Sequence, residues 1–130
     1  MDQTQVTTSP TTDSEDELIV AFIKSAGKST EGIDLVQMIR QARDEGLLYV
    51  EYQAQRVVQV VLLRRLEPGC LVCMFRGGFH NRTNVLGPLR MMCEKYPTDT
   101  LGLTFTNDDW DYVSPEKLRN LLAALEEFYA

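Results

Sequence analysis

Hydrophobic positions along the chain switch between helical and extended spacing, and each switch predicts an element. Leu18, Ile19, Phe22, Ile23 and Ala26 recur at three- and four-residue intervals, one face of a helix. Ser14 precedes them and stands three residues before Glu17, a capping-box pattern that starts the helix at Ser14. The run "LIVAFI" also fits a strand, because short apolar runs are ambiguous by period alone. A second helix fits Glu31 to Glu45, with Ile33, Leu35, Val36 and Ile39 inward, Ser29 or Thr30 as cap and Gly46 as terminator.

From Leu47 the chain turns β-branched and aromatic: "LLYVEYQAQRVVQVVLLRRLEPGCLVCMFRG". Breaks at Gln53–Gln55 and at Glu67-Pro68-Gly69 divide it into strands over 47–52, 56–66 and 70–76, an antiparallel meander. A helix follows at Gly87–Tyr96, with Pro88 in its first turn and Leu89, Met92, Cys93 and Tyr96 inward. "TLGLTF" alternates Leu101, Leu103 and Phe105 on one face of a half-buried strand, and "NDDWDYV" reads as a turn with room for a short last strand. The final helix has Ser114 as cap, Pro115 at its first position and Glu116 in its first turn. Its apolar stripe is Leu118, Leu121, Leu122, Leu125 and Phe128. The expected fold is α+β: a mostly antiparallel sheet, three-strand meander plus one or two further strands, packed with N-terminal, middle and C-terminal helices. Residues 1–13 have little to bury and predict a disordered polar tail before one domain over 14–130.

Length and composition agree with one ordinary domain: 130 residues, 44% hydrophobic and 25% charged. No apolar run approaches the ~18 residues of a membrane span. "MDQTQVTTSP" offers neither a basic n-region nor an apolar h-region. The expectation is therefore a cytoplasmic protein whose three cysteines are reduced thiols, which also empties the Asn81-Arg82-Thr83 sequon of meaning.

Charge changes the picture more. The net −6 disfavours non-specific attraction to nucleic acid or anionic membrane. Yet residues 56–90 hold six arginines (Arg56, Arg64, Arg65, Arg76, Arg82, Arg90) against Glu67 alone. Residues 1–55 carry ten acids and four bases, and 91–130 eight acids and three bases. Internal pairing between arginines and acidic helices is the plain explanation; recognition of an acidic ligand is the other.

Candidate chemistry concentrates in "GCLVCMFRGGFHNR" (69–82). Cys70, Cys73, His80 and Cys93 would make a legitimate zinc set. Strand residues three apart point to opposite faces, however, so Cys70 and Cys73 should diverge, and no metal or other cofactor is expected. A redox pair would need a helix N-terminus. A cysteine nucleophile with His80 and an Asp of "NDDWD" lacks a nucleophile turn. "SAGKST" (25–30) ends like a phosphate-binding loop, but position 22 is Phe22 where the rule needs Gly. "NDDWD" (107–111) lacks the glycine and closing Glu of a calcium loop. "FRGGFHNR" interleaves rings and cations, so Arg76, Phe79, His80 and Arg82 are the candidate partner-binding residues.

The meander 47–76, "NVLGPLRMMCEKYP" (84–97) and "DYVSPEKLRNLLAALEEFY" (111–129) give an element order that resembles class I type III secretion chaperones and YbjN-like proteins. The resemblance spans Leu47 to Ala130 and implies a small acidic α+β protein that dimerises and binds protein partners. The helix at 31–45 is an addition to that order, and no functional residue is carried over. The expected function is a non-catalytic protein–protein interaction module, an adaptor, chaperone-like factor or inhibitor, with a homodimer among its possible states. A nucleic-acid-associated regulator using 56–90 is the alternative, and a Cys/His metalloprotein or enzyme the third reading.

Overall fold

The computed structural model describes residues 12–26, 31–78 and 86–129. Two helices, α1 (Thr12–Ser25) and α2 (Leu35–Asp44), precede β1 (Leu48–Gln53), β2 (Arg56–Glu67) and β3 (Cys70–Gly78). Helix α3 (Leu86–Lys95), β4 (Thr100–Thr106), β5 (Asp109–Val113) and α4 (Pro115–Phe128) complete the order. The five strands form one sheet in sequence order, antiparallel except where β3 meets β4. This is the expected α+β fold, with both further strands present.

Turn chemistry explains the strand limits. Pro68 and Gly69, the latter at φ +80°, make the type II turn between β2 and β3. The β1–β2 and β4–β5 turns each place two residues at positive φ: Ala54 and Gln55, then Asn107 and Asp108. Such type I′ turns match the twist of a hairpin. Asn and Asp tolerate that geometry, whereas Ala54 and Gln55 are strained there.

The register divides the side chains between two faces. Val60 pairs with Gly77, whose Cα lies under Phe22 of α1, and Leu62 pairs with Phe75, so these face α1 and α2. Tyr49 pairs with Val61 on the other face, where its ring lies so close to Gly87 of α3 that no Cβ would fit. Helices thus cover both sides, which accounts for the unbroken burial of Val58–Leu63.

Several helix details differ from the pattern reading. Helix α1 begins at Thr12, so Ser14 lies inside it; acids at 13, 15 and 16 favour an N-terminal turn and extend it backwards. The helix persists to Ser25, which removes the strand reading of "LIVAFI". The polar tail up to residue 11 lies outside the described residues, as do Ser29 and Thr30. Helix α2 starts at Leu35, because Gly32 sits at φ +76° and Asp34 is the cap, accepting from the Gln37 amide at 3.1 Å. Ile33 (47% exposed) and Val36 are accordingly outside the core, and Leu35, Ile39 and Ala42 form its buried face. Ser114 caps α4 as expected, accepting from the Lys117 amide at 3.1 Å. Only Leu118 of its stripe is fully buried; Leu121 and Phe128 (69% exposed) project beyond what α3 and the sheet cover.

An ionic cluster fastens α1 to α2. Asp16, almost fully buried, lies 2.6 Å from the Arg43 guanidinium and 3.0 Å from Arg40 Nε. Arg43 also bonds Glu15 at 2.7 Å, and the Tyr52 hydroxyl of β1 donates to the other Glu15 oxygen at 2.5 Å. Burial pushes the Asp16 carboxyl up, but the hydrogen bonds and charges of Arg40 and Arg43 outweigh it and hold it below its ordinary 3.8. A depressed native pKa contributes stability that is complete above about pH 4 and lost as the pH falls through the native value.

Urea melts taken at a series of pH values should therefore show a flatter acid limb in Asp16→Asn than in the parent. At pH 7 the same variant should lose about 1–3 kcal/mol, the partial exposure of both arginines moderating the loss of a buried ion pair. Replacing Ala54-Gln55 by Asn-Gly should stabilise the fold by about 1 kcal/mol, seen as a raised urea midpoint at unchanged m.

Candidate functional site

The meeting of β3 and β4 is short. Parallel pairing covers Cys70, Leu71 and Val72 against Thr100, Leu101 and Gly102, and then stops. Each strand carries an extra residue immediately afterwards. On β3, Cys73 pairs with Leu63 and Phe75 with Leu62, so Met74 is left over. On β4, Gly102 pairs with Tyr112 and Thr104 with Asp111, so Leu103 is left over. Bulges bend strands and end pairing, and two of them side by side part the sheet into a three-strand and a two-strand half.

Hollows occupy the parting. The larger, about 590 Å³, lies between the sheet and α3/α4 and is walled by Val61, Leu63, Leu101, Leu89, Met92 and Leu118, with Arg76, Gln59 and the Gly77-Gly78 pair also in its lining. The smaller, about 370 Å³, is lined by Met74, Phe75, Phe105 and Trp110 and shares Cys73, Arg76 and Leu103 with the first. Phe105 (55% exposed) meets Trp110 edge to face, ring centroids 5.3 Å apart. Among the described residues Arg76 is the one charged side chain in either lining.

Gln59 is the unusual residue. It is 7% exposed, and its Oε1 has no hydrogen-bond partner among the described residues. The reason lies in its neighbours: Gly78, its β3 partner, has no side chain, and Glu51, its β1 partner, accepts the Tyr49 hydroxyl at 3.0 Å. That contact and burial, burial first, push the Tyr49 phenol up to about 12. A buried carboxamide oxygen left unpaired costs about 1–3 kcal/mol.

Of the sequence candidates, Arg76 stands on β3 at the rim of both hollows, while Phe79, His80 and Arg82 lie outside the described residues. The cysteines do not converge. Cys70 lies beside Tyr112, Cys73 lines the larger cavity, and Cys93 is half-buried on α3. Burial pushes the Cys70 and Cys93 thiols up, the opposite of an activated nucleophile. Among the described residues no group of three His, Cys, Asp or Glu side chains could hold a metal. The Asp-rich "NDDWD" is the β4–β5 turn at Asn107-Asp108 followed by the first residues of β5, and the stretch before Gly27 is helix α1 where a phosphate-binding loop needs a strand. Arg65 forms a two-pronged bond with Asp99 at 2.8 and 3.2 Å, and Arg90 pairs with Glu126 at 2.9 Å. Arg56, Arg64 and Arg76 form no ion pair among the described residues, and the register puts Arg64 and Arg76 on opposite faces.

Pattern reading missed Gln59, Met74, Leu103 and Trp110. Gln59 had a signal, a lone amide inside "RVVQVVLL"; the bulges had none within their own strands. Gln59→Leu, which removes the unpaired amide at similar volume, should raise stability by about 1–2 kcal/mol in urea unfolding. No protein-family model, curated protein or solved structure matches this chain.

Proposed function

We propose that the chain is a non-catalytic protein-binding module, acting in the cytoplasm, that engages its partner at the parting between β3 and β4. The observation that carries this reading is the aromatic and aliphatic surface there: Phe105 and Met74 are exposed and Trp110 is partly so, around a hollow whose one charge among the described residues is Arg76. Soluble proteins seldom leave such a cluster uncovered unless something docks on it, and aromatic side chains and arginine dominate binding hot spots. An element order resembling that of partner-binding chaperones agrees with it. Leu121 and Phe128 on α4 offer a second apolar strip, suited to an adaptor or to self-association.

Affinity purification of the full chain from its host should recover a protein in stoichiometric amount after nuclease treatment. Phe105→Ser and Arg76→Glu should each weaken that complex by about 30-fold, the size of a hot-spot loss. Recovery of nucleic acid in salt-sensitive fashion would instead favour the arginine-based regulator. A strict monomer that retains no macromolecule would refute both readings.

A further inference from the structure

The larger cavity has the composition of a small-ligand site, and its chemistry specifies the ligand in three parts. Its volume, about 590 Å³, falls within the roughly 300–1,000 Å³ of pockets that hold small molecules. The walls from Val61, Leu63 and Leu101 below and Leu89, Met92 and Leu118 above are aliphatic or thioether, with no aromatic ring in the lining among the described residues. They suit a flexible alkyl chain rather than a flat heterocycle. Among the described residues Arg76 is the single charge of the lining and has no ion-pair partner, and it calls for an anion; its planar fork matches a carboxylate.

Gln59 supplies the third requirement. Its buried Oε1 needs a donor, which neither an alkyl chain nor a carboxylate possesses. The register fixes where that donor must be. Gln59 pairs with Gly78 and Val61 with Arg76, so Gln59 and Arg76 are diagonal neighbours on one face, about 7–8 Å apart at the backbone. Gly78 sets no side chain of β3 against the Gln59 amide, and none would fit, since a Cβ there would stand 3.0 Å from the Val58 carbonyl and 3.1 Å from Gln59 Cβ. Glu51, on the opposite side of Gln59, repels an anion and so confines the head group to the Arg76 side.

We propose that this cavity binds an unesterified aliphatic carboxylate bearing a hydroxyl close to its head, the chemistry of a 3-hydroxy fatty acid. The carboxylate pairs with Arg76, the hydroxyl donates to Gln59 Oε1, and the chain lies between the sheet and α3/α4. The site does not require the protein-binding reading, since a ligand could occupy it whether or not a partner docks outside.

Calorimetric titration of the full chain near pH 7 with 3-hydroxydodecanoate and with dodecanoate, both below their micelle concentrations, tests it. Saturable one-to-one binding is expected, with the hydroxy acid about five- to tenfold tighter. Arg76→Gln should weaken both acids by about tenfold, and Gln59→Leu should erase the preference for the hydroxyl while dodecanoate still binds. Absence of saturable binding, equal affinities in the parent protein, or indifference to Arg76→Gln would each overturn the assignment. The comparison of the two acids on the parent protein decides the matter even where a variant fails to fold.

Discussion

Three residue pairs between β3 and β4 hold the two halves of this molecule in one sheet. The contact is fastened from one end only. Arg65 at the end of β2 grips Asp99 with both prongs of its guanidinium, and the Thr100 amide donates to the Gly69 carbonyl at 2.9 Å. Asp99 is nearly buried, and the hydrogen bond it accepts pushes the Arg65 pKa up. At the far end Val72 and Trp110 crowd Gly102, where a Cβ would meet them at 3.0 and 3.1 Å. Only glycine lets the strands approach that closely at the point where they part. Every hollow discussed above follows from this clamp at one end and the bulges at the other.

The remaining architecture is more conventional and more redundant. The meander is buried on both faces, and α1 and α2 are held to each other by Arg40 and Arg43 reaching Glu15 and Asp16. Those arginines come from the acidic first part of the chain, so its charge is partly neutralised within itself. The central arginines divide differently: Arg65 and Arg90 serve the fold, and Arg76 faces the cavities. Internal pairing thus explains part of the charge segregation and leaves Arg56, Arg64 and Arg76 without an ion pair among the described residues.

Much of this was legible in the chain because local chemistry dictated it. Pro68-Gly69, Gly46, Asn107-Asp108 and Ser114-Pro115 each impose one backbone geometry, and the strand turns, the end of α2 and the start of the last helix fall where they say. What stayed hidden depends on neighbours distant in sequence. Met74 and Leu103 look like ordinary alternating residues until the strand beside each is known. Ile33, Val36 and Phe128 satisfy a helical period, but periodicity reports that a face is apolar and not whether anything covers it. The cysteines show the opposite case: strand alternation alone sent Cys70 and Cys73 apart. Gln59 lay in plain view as the odd member of an apolar run, its meaning set by the glycine across from it.

The seam also has a kinetic consequence. The meander and the β4–β5 hairpin join residues close in sequence, whereas Cys70 meets Thr100 only after all of β3, α3 and their connections have been traversed. Closing that span costs chain entropy before its three pairs return anything. The seam is thus the natural late step of folding and the natural first place to open, with β3 exposing an unpaired edge meanwhile. A molecule built this way joins a meander of local contacts to a hairpin whose only backbone pairing with it, among the described residues, is three residues long.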